Sequence, residues 1–272
     1  MSLFCCPICG ESLRREEKGY LCPRGHSFDL AREGYVHLLP ANRKHAREPG
    51  DDKEMAAARS RFLDGGYYAH LREALCRLAV EHTGDAPAVL DSGCGEGYYT
   101  QGVKDALLKA GKTPAVAGVD ISKFCLRRAA KREKGAEWAV ASAYHLPLED
   151  ERVELIVNCF SPMAREEFLR VLRPGGVLLY VVPAPEHLWE LKQVLYETPY
   201  PNPEEAIPYE GFSYLDIVKT ERTVTVEGQA LQDLFRMTPY FWKTPKEGAR
   251  RLAGLSELEV GAKFRIHVFR KD

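Results

Sequence analysis

Between residues 88 and 182, short apolar runs alternate with segments of helical length. The runs fall at 88–91, 115–120, 137–141, 155–158 and 177–182, and the helical segments lie around 97–110, 122–134 and 163–173. Strands alternating with helices predict an α/β fold with a doubly wound, Rossmann-like parallel sheet, whose ligand sits off the carboxyl ends of the strands. Two more helices are expected upstream, at 51–63 and 68–81, the second with Leu71, Leu75, Leu78 and Ala79 on one face. Downstream, 187–197 reads as a helix, 198–211 as a Pro/Glu-rich loop, and 222–226 with 263–270 as an antiparallel pair that closes the sheet.

The first 35 residues break this pattern. They are dense in Cys, Gly, Pro and charge, and their short alternating stretches suit small β-hairpins. A piece of that size needs a staple to fold. Residues 39–52 are polar and basic without helical or strand period, which marks a linker. The chain thus divides into a β-rich module over 1–35, a linker and helical segment over 36–66, and an α/β domain over 67–272.

Composition narrows the class. With 272 residues, 45% hydrophobic and 28% charged, the chain has the balance of a globular protein. No apolar run reaches the roughly 18 residues of a membrane helix, and the N-terminus lacks the charged head, apolar stretch and cleavage site of an export signal. A cytoplasmic location without a membrane partner is the expectation. The net charge of −1 excludes a strongly basic nucleic-acid binder, yet residues 1–47 carry eight Lys/Arg against five Asp/Glu. The N-terminal end is therefore the part suited to a polyanion.

Where the first strand turns into a helix, the chain reads Asp91, Ser92, Gly93, Cys94, Gly95, Glu96, Gly97. Three alternate glycines let the backbone turn sharply and approach a ligand that a Cβ would block. Dinucleotide binding requires G-x-G-x-x-G, and Tyr98 occupies the position of its third glycine, so nicotinamide and flavin cofactors are unfavoured. The pattern resembles the glycine-rich motif of class I methyltransferases, whose ligand is S-adenosylmethionine. In that reading Asp91 orients the loop and accepts from the cofactor's amino group or a water, and Glu96 is a lining residue. Asp120, ending the second strand, accepts from the ribose hydroxyls, while Ser122 caps the following helix. After the third strand Ser142 stands where such enzymes often carry an acid, and Ala143 keeps the small position near the adenine. The turn at 173–176 is assigned to structure only.

Eight cysteines in a cytosolic context read as thiols. Cys6, Cys9, Cys22 and His26 give C-x2-C-x12-C-x3-H, in which each close pair forms one knuckle of a tetrahedral Cys3His zinc site. Cys5 is a competitor, but Cys6 has the spacing that knuckles prefer. With four protein ligands the zinc is structural, leaving no open position for catalysis.

These two motifs in this order resemble the bacterial 23S ribosomal RNA guanine-N1 methyltransferases. The likeness extends over Ala31 to Pro40, Pro49 to Asp51, Met55 to Arg59, Arg61 to Asp64, Gly97 to Thr100, His187 to Lys192 and Met237 to Pro239. It implies a class I methyltransferase sheet carrying a small zinc module that helps hold RNA. It also implies methyl transfer to N1 of a guanine in a domain II hairpin near the peptide tunnel, and a homodimer with an RNA-sized cleft. By the same resemblance, Tyr68 and His187 join the Gly95 and Glu96 backbone in the cofactor site. Family branches differ in which of two neighbouring guanines they modify, and one is tied to resistance against the macrolide tylosin.

The acceptor has to be turned out of its stack before N1 is reachable, and Tyr98, Tyr99 and Phe160 are aromatics that could stack on it. Residues 158–162 read Asn, Cys, Phe, Ser, Pro, which fits a ring nitrogen better than the aromatic-Pro-Pro tetrapeptide of amino-group enzymes. Asn158 is the candidate for orienting the base, with Glu210 and His145 behind it. Arg14, Arg15, Arg24, Arg43, Lys44 and Arg47 are candidate phosphate contacts. Two other readings stay open: a class I enzyme methylating a small molecule, and a zinc-bearing RNA-binding protein with a vestigial cofactor site.

Overall fold

The computed structural model describes residues 2–40, 50–204 and 209–272. Its N-terminal part holds four short strands: β1 (Arg14–Arg15), β2 (Gly19–Leu21), β3 (Ser27–Asp29) and β4 (Val36–His37). Two helices follow, α1 (Lys53–Asp64) and α2 (Ala69–Glu81). The alternating region then gives β5 (Ala88–Ser92), α3 (Tyr98–Lys109), β6 (Ala115–Asp120), α4 (Lys123–Arg132) and β7 (Glu137–Val140). It continues with β8 (Val153–Cys159), α5 (Arg165–Val171), β9 (Leu172–Pro183) and α6 (Trp189–Leu195). The last stretch is β10 (Phe212–Glu227), α7 (Gly228–Met237), α8 (Tyr240–Lys243), α9 (Lys246–Ala253) and β11 (Glu257–Lys271).

β1, β2 and β3 form a small sheet of their own, and the remaining strands form one sheet in the order β10-β11-β9-β8-β5-β6-β7-β4. Strands β9 through β4 run parallel, and β11 and β10 close the far edge antiparallel. The order reverses between β5 and β8, so the crevice at the carboxyl ends of β5, β6 and β8 is where such a sheet takes a ligand. This is the expected doubly wound α/β sheet. Its closing pair differs from expectation in extent: 222–226 and 263–270 are pieces of strands of 16 and 15 residues. β10 pairs on one side only and is exposed along most of its length, so its residues carry no apolar alternation for periodicity to detect. Helices α7, α8 and α9, which the apolar pattern does not place, fill the connection between these two strands.

Alternate residues of the central strands enter two separate cores, as burial on both faces requires. Val89, Val116, Trp138, Leu155 and Leu179 pack under helices α1 to α4, α6 and α7. Leu90, Ala117, Ala139, Ile156 and Leu178 face the other way. On that second face α5 supplies Phe168 and Val171, but β7 connects to β8 through 141–152 without a helix. The N-terminal module covers the exposed part: Leu3, Phe4, Leu13 and Tyr20 lie in the same buried cluster as Leu90, Ala117 and Ala139. A linker separates the two pieces in sequence, while in space they share a core.

Hydrogen bonds fix the docking. The Glu137 carboxylate at the start of β7 accepts from the Leu3 amide at 2.8 Å and from the Tyr20 hydroxyl at 2.9 Å. Cys5 N–H donates to the Pro147 carbonyl at 2.8 Å, and Leu38 N–H to that of Val140 at 3.0 Å. Replacing Glu137 by Ala leaves a buried phenol and a buried amide unpaired, a loss of about 1–3 kcal/mol. Amide exchange of the Glu137→Ala variant is expected to show β1 to β3 opening more readily than in the parent, with β5 and β8 protected as before; uniform loss of protection would deny the module its separate docking.

Candidate active site and metal centre

The three glycines sit between β5 and α3 with φ of +78°, +54° and +80° at Gly93, Gly95 and Gly97, a region that side chains rarely adopt. A Cβ at Gly97 would press on Ala129 and the Trp138 ring at 3.1 Å, so that glycine serves packing. At Gly95 nothing lies within 4 Å, so there the backbone borders open space. Gly95 N–H donates to Asp120 Oδ2 at 2.9 Å, and Ser122 N–H to Asp120 Oδ1 at 2.7 Å, which ties the loop to the end of β6. Ser122 also caps α4, as its position suggests, accepting from Cys125 N–H at 3.4 Å.

Asp91 is 2% exposed and accepts from the Thr100 hydroxyl at 2.5 Å through Oδ2, while Oδ1 has no partner among the described residues. Burial raises its pKa to about 7, against the pull of the Thr100 hydrogen bond. Burial raises Asp120 as well. Two buried carboxyls beside an open glycine turn, one of them with an oxygen unpartnered among the described residues, form a site that suits a cation or hydroxyl donor.

Glu96 points elsewhere. Its Oε2 accepts from Ser60 at 3.0 Å and from the Arg132 guanidinium at 2.5 and 3.0 Å, while Arg132 also pairs with Asp64 at 2.7 Å. The side chain therefore clamps the glycine loop to α1 and α4. Tyr68 and His187 are brought together: the Tyr68 hydroxyl lies 3.4 Å from His187 Nε2, and Lys263 N–H donates to Nδ1 at 3.2 Å. Burial drives the His187 pKa down to about 3, with Lys192 adding to the shift, so the imidazole is neutral and its proton is on Nε2.

Asn158, next to last in β8, is fully buried; its Nδ2 donates to the Pro162 carbonyl at 3.1 Å and its Oδ1 has no partner among the described residues. Ser142 accepts from Tyr144 N–H at 3.2 Å, and with Ala143 it lies half-buried in the turn after β7. Glu210 pairs with Arg165 at the surface. His145 lines a cleft between the first knuckle and the β7–β8 connection, beside Pro7 and Ile8. Arg14 and Arg24 are exposed and paired with Glu16 and Glu11, and the Arg15 guanidinium lies 6.0 Å from the Tyr20 ring. Arg43, Lys44 and Arg47 fall outside the described residues. The apolar pattern misses Thr100, Ser60 and Arg132, since partners of a buried carboxylate are chosen by the fold and leave no spacing signal.

At the other end of the molecule, one ligand atom from each of Cys6, Cys9, Cys22 and His26 lies within 4.8 Å of the others. Cys9 Sγ is 3.3 Å from Cys22 Sγ, and His26 Nδ1 is 3.5 Å from both Cys6 and Cys9 Sγ. Both turns have the knuckle form: Gly10 N–H donates to the Cys6 carbonyl at 2.8 Å and Gly25 N–H to that of Cys22 at 2.9 Å, with φ of +78° and +87° at the glycines. Cys5 is outside the set; burial pushes its thiol up to about 11.

Residues 4–47 match the zinc-ribbon family described as RlmA, N-terminal, and residues 89–176 match the family described as a methyltransferase domain. The 23S rRNA (guanine(748)-N(1))-methyltransferase of Streptomyces fradiae is 35% identical over 272 residues, covering 96% of this chain and 95% of that protein. A Bacillus subtilis (strain 168) protein, provisionally named 23S rRNA (guanine-N(1)-)-methyltransferase YxjB, is 33% identical over 95% of this chain and 94% of its own length. The chain belongs to the 23S rRNA (guanine-N1)-methyltransferase family. Among solved structures, the YcgJ protein from Bacillus subtilis has a TM-score of 0.51 at 15% identity, covering 73% of this chain and 98% of that one, and shares the fold.

As a member of that family the chain is an S-adenosylmethionine-dependent methyltransferase with a structural zinc, and its residues fit both groups. Three thiols and one imidazole in contact distance suit tetrahedral zinc. The open turn at Gly95, the orphan Oδ1 of Asp91 and the paired carboxylate of Asp120 suit an amino-acid head and a ribose.

Two outcomes follow for this methyltransferase. Chelation, or Cys22→Ser, is expected to unfold β1 to β3 and lower RNA methylation while cofactor affinity measured by calorimetry is kept; equal loss of both would contradict the division of labour. Asp91 is protonated below pH 7 in the free protein, so its contribution to stability is lost as pH rises through that value. A bound ammonium favours the ionised form. Cofactor affinity is therefore expected to fall up to about tenfold per unit as pH drops below 7, and Asp91→Asn should bind more weakly with a flat profile.

Proposed function

We propose that this protein transfers a methyl group from S-adenosylmethionine to N1 of one guanine in a domain II hairpin of 23S rRNA. The observation that carries the reading is a zinc-stapled module seated on the same sheet whose carboxyl edge holds the Gly95–Asp120 site. Relatives named for this reaction match both parts along nearly the whole chain. A small acceptor would need no such module. The finer parts of the proposal are a homodimer, a bacterial cytoplasmic setting, and a contribution to resistance against macrolides that bind in the tunnel.

When bound, S-adenosylmethionine supplies a methyl group already activated on a sulfonium. The protein's task is then positioning, because holding N1 in line at attack distance is the larger part of the barrier. Gly95 keeps the loop backbone open while Gly93 makes room for Ser161, Asp91 and Asp120 hold the cofactor's two polar ends, and Tyr68 and the neutral His187 wall the site on the α2 and α6 side. Asn158 donates one of its two amide hydrogens to Pro162, and with its carbonyl oxygen unpartnered among the described residues it is the candidate for orienting the base.

Methylating naked large-subunit RNA with the purified protein and then reverse transcribing it tests the reading, because a methyl on N1 blocks pairing and halts the polymerase. One new stop at a guanine of the domain II hairpin is expected. No stop, together with methyl transfer to a small metabolite, would defeat it; no binding of S-adenosylmethionine in calorimetry would leave only an RNA-binding role.

A further inference from the structure

Phe160 lies two residues beyond Asn158, just past the carboxyl end of β8, and carries a combination of features that core packing does not require. Its φ is +56°, a backbone conformation that an aromatic residue seldom adopts and that persists mainly at functional sites. Its amide donates to the Val181 carbonyl at 3.2 Å, which locks the turn. The next residue, Ser161, occupies the space where a Cβ at Gly93 would stand, so the turn leans on the glycine loop itself. The residue is nonetheless 48% exposed.

One side of that ring meets Phe264, with centroids 5.4 Å apart. Phe264 in turn packs against His187 at 4.6 Å and Tyr68 at 4.8 Å, and these three are all buried. Phe160 is thus the outermost ring of an aromatic cluster that begins in the cofactor site, rigid on its inner side and open on its outer one. Tyr98 and Tyr99, the other aromatics of the glycine loop, are 6% and 7% exposed and sit in the core. Neither offers a face to a base.

We propose that Phe160 is the platform on which the target guanine stacks after it leaves the RNA helix. The strained turn holds the ring at the carboxyl end of β8, next to Ser161 where that residue meets the glycine loop, so stacking fixes the plane of the base and N1 is presented to the methyl donor. Every base has a π-face, so the platform supplies affinity and alignment without itself choosing guanine. The inference rests on the acceptor being a base in RNA.

The test compares Phe160→Leu, Phe160→Gly, Phe160→Tyr and Phe160→Trp by kcat/KM for methylation of 23S RNA, cofactor affinity by calorimetry, and Tm. Leu keeps apolar bulk without a π-face, and Gly removes the ring while suiting the left-handed backbone. Both are expected to lower kcat/KM about 10- to 100-fold, as loss of one base–aromatic stack does. Tm should be held or raised in the Gly variant, cofactor affinity should be unchanged, and Tyr and Trp should restore activity. A kcat/KM at the wild-type level in the Leu or Gly variant overturns the proposal, and so does a parallel fall in cofactor affinity, or failure of Tyr and Trp alike to rescue. A wild-type protein that methylates no RNA overturns the reading of the reaction instead.

Discussion

The second face of the large sheet has to be covered, and the chain does not supply a helix to cover it. Between β7 and β8 it spends residues 141–152 on a short connection, leaving Leu90, Ala117 and Ala139 facing outward beside α5. The N-terminal module fills that place with Leu3, Phe4, Leu13 and Tyr20. Its own strands are two or three residues long, too short to make a core without a staple. The Cys3His centre is that staple, so the metal that orders the knuckles also completes the sheet that carries the catalytic edge. The zinc module is thereby seated on the methyltransferase sheet by an apolar cluster and Glu137, not by a tether alone.

At the carboxyl edge of the strands the constraint is electrostatic. Asp91, Glu96 and Asp120 are carboxyls gathered at one turn, and burial raises the pKa of each. The protein settles them in different ways. Glu96 receives a guanidinium and a hydroxyl and becomes a clamp between α1, α4 and the loop. Asp120 receives two backbone amides. Asp91 receives one hydroxyl and keeps an oxygen without a partner among the described residues, which makes it the member of the set with most to gain from a cationic ligand.

Much of this was legible beforehand. Apolar runs of strand length alternating with helices reveal the parallel sheet, because buried strands tolerate few polar residues. The glycine spacing reveals a nucleoside site, because only glycine adopts those φ values at no cost. The knuckle spacing separates Cys6 from Cys5, since two residues between ligands set the bite of the turn. Polar edge structure left less trace: the first part of β10, residues 212–221, is assigned to no element by the apolar pattern because an exposed strand has no buried face to mark.

Sequence by itself therefore determined the fold class, the cofactor chemistry and the metal set, each encoded in local spacing that backbone sterics or ligand geometry make obligatory. Tertiary structure alone decided which like-looking residues do which work. Tyr98, Tyr99 and Phe160 are equivalent as letters, and only packing puts two in the core and one at the surface. Asp91 and Glu96 are both acids of one loop, and only the approach of Arg132 from α4 neutralises one and leaves the other open. Burial and partner choice are properties of residues distant in the chain, and no local pattern records them.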